Sequence, residues 1–352
     1  MNDIARIDMQ RRRLCFAAGI ATALPALALQ RQAQAADDVR IRLGTLAPKG
    51  SSYHRALQEM GERWRKAQGG GATFTIFADG TQGGEADMVR RMRVGQLNAG
   101  LLSVIGLLEI DRTASVLQKM PLVYRNWDEL DYVRDRIAPM LEQRLFDKGF
   151  VVLFWGDGGW VRFFSNKPAS RPEDFKHMRM FVWAGDPEQV DLMKRLRYQP
   201  VAIETADILP GLQTGLIDAV PATPFFALAG QFNGPAPHML DIKWAPIVGA
   251  CIVTRTAWDA MSAEARDELR RAAADAAIEL RRRARMEDLE SIEAMTRRGL
   301  KVTALTPELE VQWHAFTDAV YPAIRGNTVP ADVFDETLRL VAEFRASGLA
   351  RK

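Results

Sequence analysis

Residues 174–218 read DFKHMRMFVWAGDPEQVDLMKRLRYQPVAIETADILPGLQTGLID. Residues 178–184 form an apolar run that carries one arginine, Arg179, and predicts a strand. Residues 187–196 have helical spacing, and 200–203 predict a second short strand. Thr205 is the expected N-cap of a helix over 206–213, and Gly215 is its expected stop. Strand, helix, strand, helix, strand is the rhythm of a parallel sheet flanked by helices. Arg179 is the informative residue. An arginine among apolar neighbours must snorkel, pair with a carboxylate or meet an anionic ligand.

The chain has 352 residues, 47% hydrophobic and 26% charged, which is room for two cores. The formal charge of +3 is misleading. Residues 1–35 hold five arginines against Asp3 and Asp8, and removing them leaves 42 basic and 42 acidic residues. No basic stripe remains for nucleic acid.

Residues 1–35 read as a secretory leader. Arg11, Arg12 and Arg13 precede an apolar run over 14–29, and Ala33-Gln34-Ala35 is a small-x-small cleavage site. The arginines also resemble a twin-arginine signal. Cleavage leaves a mature chain with no stable membrane insertion and a periplasmic location. Cys15 leaves with the leader, so Cys251 is the one thiol of the mature chain, and its apolar strand (247–253) makes it a buried small hydrophobe.

Val39, Ile41 and Leu43 alternate with arginines, as a half-buried strand does. Helical spacing over 53–67 and 85–94, with strands at 74–76 and 97–104, continues a βαβαβ pattern. Asn126 is the expected cap of a long helix ending near Lys148. An apolar strand (150–155) then runs into the glycine-rich turn 156–159, a candidate crossing into a second domain. Ser262 caps a helix running to about Arg298, and helices begin at Thr306-Pro307 and at Pro330. The expected division is a first lobe of 36–157 plus about 248–288. The second lobe is 158–247 plus about 289–352, with the domain-spanning and C-terminal helices.

Catalytic and metal motifs are missing. The four histidines (His54, His177, His238, His314) show no metal-ligand spacing, and there is no HExxH, Cys-x-x-Cys, Gly-x-Ser-x-Gly or Walker pattern. The sequence therefore predicts no cofactor, no metal and no enzyme.

A set of short segments, in order, resembles the solute-binding proteins of tripartite ATP-independent periplasmic (TRAP) transporters, of the C4-dicarboxylate-binding type. These are residues 41–46 with 51–54, Gln82-Gly83-Gly84-Glu85, Gly95-Gln96-Leu97-Asn98-Ala99, Ser165-Asn166-Lys167-Pro168, residues 174–179 and residues 212–219. The resemblance covers about residues 39–316. It implies an α/β fold of two lobes, each a mixed, mostly parallel sheet flanked by helices, with a long helix spanning both. It also implies capture of an organic anion by hinge closure and delivery to a membrane permease. In that family Arg179 would hold the ligand carboxylate. The alternative is that Arg179 pairs with an internal acid.

Three positions depart from the family pattern. Val161 stands where many members have a second arginine, with Arg162 beside it. Ala222 replaces an asparagine, and Leu46 replaces a polar residue in the first-strand loop. Aromatics gather near the expected site: Trp160, Trp183, Phe181, Phe225 and Phe226. Of these, Phe181 is expected in the core. Ser103 and Thr223 are candidate hydrogen-bond partners. The expected ligand is a monocarboxylate with an apolar body, and the expected assembly is a monomer. The alternatives are a C4-dicarboxylate or other organic-acid receptor for a sensor or different transporter, and a secreted hydrolase using His54 or His238.

Overall fold

The computed structural model describes residues 40–68 and 71–348. The expected leader and Val39 lie outside the described residues. Strand β1 (Arg40–Thr45) buries Ile41 and Leu43 between exposed Arg40 and Arg42. It pairs in parallel with β2 (Thr73–Phe77) and β3 (Ala99–Ser103). Helices α1 (Ser52–Ala67), α2 (Glu85–Arg93) and α3 (Val104–Leu108) connect and extend these strands. Helix α4 (Trp127–Asp147) is capped by Asn126, whose side chain accepts from the Glu129 N–H. It leads to β4 (Phe150–Trp160), and the first sheet has the order β2-β1-β3-β10-β4. Strand β10 (Pro246–Thr254) returns from later in the chain and runs antiparallel to both β3 and β4.

The second sheet begins with β5 (Arg162–Ser165), followed by α5 (Pro172–Phe175), β6 (Arg179–Trp183), α6 (Pro187–Arg195) and β7 (Gln199–Ile203). Helix α7 (Ile208–Thr214), β8 (Ala219–Ala222), α8 (Pro224–Ala229) and β9 (His238–Asp241) complete the pass. Strands β6, β7 and β8 are parallel, and with β11 (Lys301–Ala304) the second sheet has the order β11-β9-β5-β8-β6-β7. Thr205 does not cap α7. It opens a 3-10 turn, Thr205–Asp207, that precedes the helix. Gly215 does end it, at φ +73°.

The chain crosses between sheets at Val161 and returns through residues 242–245, later than 157 on the way out and earlier than 248 on the way back. The two crossings are hydrogen-bonded to each other. The Val161 N–H donates to the Ala245 carbonyl (2.9 Å), and the Trp244 N–H donates to the Val161 carbonyl (3.1 Å). After α9 (Arg255–Asp259), helix α10 (Ala263–Thr296) makes a third connection. Its 34 residues span roughly 50 Å. Leu269, Ala273 and Leu280 lie in the first lobe's core, and Met295 lies in the second's.

The chain ends with β11 (Lys301–Ala304), α11 (Pro307–Ile324) and α12 (Ala331–Ala346). Helix α12 belongs to the first lobe, not the second. Its Phe334, Leu340 and Val341 share a core with Leu130 and Val133 of α4, and Arg345 donates to Glu129 (2.8 Å). Its apolar stripe needed a partner face, and periodicity does not say which. Helix α11 bridges: Trp313 stacks on Phe163 of the second lobe, while Val320 and Ile324 sit in the first lobe's core. Among the described residues no helix is long and apolar enough to cross a membrane.

Candidate ligand-binding cleft

The carboxyl ends of β1, β3, β6 and β8 face one another across the gap between lobes, where α/β sheets commonly bind ligands. A cavity of about 170 Å³ lies there, with walls from both lobes. From the first lobe come Thr45 and Leu46 at the end of β1, Tyr53 on α1, Glu85 at the start of α2 and Ser103 at the end of β3. From the second come Phe181 and Trp183 on β6, Ala222 at the end of β8, and Thr223 and Phe225 at the start of α8. The Tyr53 and Phe225 rings meet across the gap at 5.7 Å between centroids.

Of the eight sequence-predicted site residues, Leu46, Ser103, Trp183, Ala222, Thr223 and Phe225 line this cavity. Arg179 and Trp160 do not. Alternation on β6 explains the first case. Phe181 packs with the core beside α7 and α8, while Met180 and Val182 pack in the opposite core. Arg179 shares the Phe181–Trp183 side, since its guanidinium lies near Gly215 at the end of α7. It is the first residue of the strand, however, and the cavity is at the other end. Its Nε and Nη2 donate to the two oxygens of Asp218, at 2.8 and 2.9 Å. The internal acid is its partner. Trp160 is buried in the first lobe's core, 4.9 Å from the Trp127 ring.

Phe181 is both core and wall: 4% exposed, yet part of the lining. Ser103 faces the cavity with its hydroxyl already committed. It donates to Glu85 Oε2 (2.6 Å) and accepts from the Ile105 N–H. Glu85 also accepts from the Ser103 and Gly106 N–H groups, at 2.7 and 2.8 Å. Burial raises its carboxyl pKa, and these three donors oppose that rise. Thr223 caps α8 through its hydroxyl oxygen. Tyr53 donates to the Asp157 carbonyl (2.8 Å), and burial raises its phenol. The indole N–H of Trp183 is buried without a partner.

Among the described residues no lysine, arginine or histidine lines the cavity. The nearby cations are committed elsewhere. Arg134 pairs with Asp157 and Asp131, Arg285 pairs with the same two acids, and Arg162 pairs with Asp241. His54 accepts from the Gly50 N–H and His238 sits on β9, and neither is among the residues that line the cavity. Sequence reasoning missed Glu85 and Tyr53 as wall residues. Glu85 did carry a signal, standing directly after the Gly83-Gly84 turn.

The model of the family described as bacterial extracellular solute-binding protein, family 7, matches residues 43–326. The C4-dicarboxylate-binding periplasmic protein DctP of Rhodobacter capsulatus is 24% identical over 204 residues, 57% of this chain. The match spans 61% of that relative's length. A TRAP periplasmic solute-binding protein of Xanthobacter autotrophicus with bound β-D-galacturonate superposes with a TM-score of 0.77 at 19% identity. It covers 86% of this chain and 99% of that one. One from Sulfurospirillum deleyianum with bound succinate gives 0.78 at 18% identity, covering 86% and 98%. The two-lobed fold is thus the fold of these receptors, and the chain belongs to bacterial extracellular solute-binding protein family 7, as its resemblance to TRAP-transporter binding proteins anticipated.

Proposed function

We propose that this protein is a periplasmic receptor that captures a small organic solute between its lobes and delivers it to a TRAP-type membrane permease. The observation that carries the proposal is a cavity whose walls come from both lobes, beside a hinge of two paired crossing strands. A solute bridging those walls has more contacts when the lobes are closed, so it stabilises the closed state by its differential affinity. The organic acids in the structural relatives support a small organic metabolite as cargo. Which functional group the cargo presents depends on this chain's own lining.

The test combines differential scanning fluorimetry with small-angle scattering on the mature chain, against a panel of organic acids and their neutral analogues. A cargo raises the melting temperature by mass action and lowers the radius of gyration. A panel in which nothing both stabilises and compacts the protein would refute the receptor role.

A further inference from the structure

We propose that the cleft takes an uncharged, ring-sized, mostly apolar molecule and excludes an ionised carboxylate. The assignment rests on the receptor reading and narrows its cargo.

Charge is the first ground. Among the described residues the lining contains two carboxylates, Glu85 and Asp157, and no cationic side chain. Asp157 is neutralised by Arg134 and Arg285 on its far side. Glu85 has only hydroxyl and backbone donors. An anion entering the cavity would leave water, meet no counter-charge and face Glu85. The desolvation of an unpaired ion is unfavourable enough to outweigh the few neutral hydrogen bonds on offer. The one arginine placed on the correct side of β6 is held by Asp218 at the wrong end of the strand.

Shape and surface are the second ground. Phe181, Trp183, Phe225, Phe226 and Tyr53 give the cavity flat apolar walls, which favour offset or edge-on contact with a ring. The volume is close to the ~150 Å³ of an apolar cavity that binds benzene. The polar atoms left for a ligand are few: the unpartnered Trp183 indole N–H, the Tyr53 oxygen as an acceptor, and the hydroxyls of Thr45, Thr205 and Thr223. They suit one or two neutral polar atoms on the cargo.

Calorimetric titration of the mature chain with benzamide, benzoate and benzylamine at pH 7 tests the charge rule on one ring. Benzamide should bind about 100-fold or more tighter than benzoate, the equivalent of about 3 kcal/mol. Benzoate should tighten as the pH falls toward 4 and the neutral acid forms. Benzoate binding as tightly as benzamide, or benzylamine binding tightest, would overturn the assignment. Phe181→Arg puts a cation of similar volume on the wall and should reverse the benzamide–benzoate order. If that variant does not fold, the wild-type ranking still decides. Failure of every probe to bind or to compact the lobes would overturn the receptor reading as well, an outcome distinct from a reversed ranking.

Discussion

Arg179 grips Asp218 through two parallel hydrogen bonds at the start of β6, and Asp218 also accepts from the Arg179 backbone N–H (3.0 Å). The side-chain bonds, set against some burial, hold the Asp218 carboxyl down at about 2. A depressed carboxyl stabilises the fold above its unfolded pKa of roughly 4. That contribution is lost as the pH falls toward 2. Arg179→Ala should therefore lower the melting temperature by a few degrees or less at pH 7, since Arg179 is half exposed, and by still less at pH 2–3. Cargo affinity should not change. A large affinity loss in titration calorimetry would mean that Arg179 reaches the cleft.

Asp288 behaves in the opposite sense. It is buried on α10, where it accepts from the Trp160 N–H (2.8 Å), while its Oδ1 has no partner. Burial raises its carboxyl to about 6 despite that bond and Arg162 at 3.7 Å. The folded state thus holds this proton more tightly than the unfolded chain does. Stability from this group declines as the pH rises from about 4 to about 6, then levels. Asp288→Asn should remove that decline and add on the order of 1–3 kcal/mol at pH 7. Urea midpoints of both proteins between pH 4 and 8 would show the two curves diverging with pH. Parallel curves would refute the shift.

Gly159 supports the same contact. It sits at φ +98°, and a Cβ there would lie 2.4 Å from Asp288 Oδ1. Gly159→Ala combines a disfavoured backbone with a clash against a buried carboxylate, and should cost about 2 kcal/mol or more. Denaturant unfolding checks the loss. A neutral result would show that the crossing strand relaxes freely.

Lys119, from the first lobe, pairs with Asp186 at the head of α6 in the second, and both side chains are nearly buried. Asp186 also accepts from the Gln189 N–H. Lys119→Met leaves that carboxylate without its counter-ion, a change that costs about 3–5 kcal/mol in buried pairs. The cost falls on the juxtaposition of the lobes, so the ligand-free radius of gyration should increase. An unchanged scattering profile would show that the pair does not latch them.

The βα rhythm of both sheets was legible because each turn has local causes. Asn126 and Ser262 cap their helices, and Gly215 takes the left-handed conformation. Much of the cleft was legible too, since Leu46, Ala222, Thr223 and Phe225 sit at or just past strand ends. Distance along a strand was not. Alternation puts Arg179 and Trp183 on one side of β6 but does not say which end meets the other lobe. Aromatic composition likewise could not separate Trp160, in the core, from Trp183, in the wall. The home of α12 depends on which core offers a matching apolar face, a tertiary fact with no local trace.

Cys251 lies fully buried in β10, and burial pushes its thiol pKa far above the ordinary range. The reactive species is the thiolate, which such a site suppresses. Among the described residues Cys251 is the one cysteine, so the described fold holds no disulfide for an oxidant to form. The packing of the two described lobes therefore draws on no sulfur–sulfur bond, and their cohesion does not change with the redox poise around them.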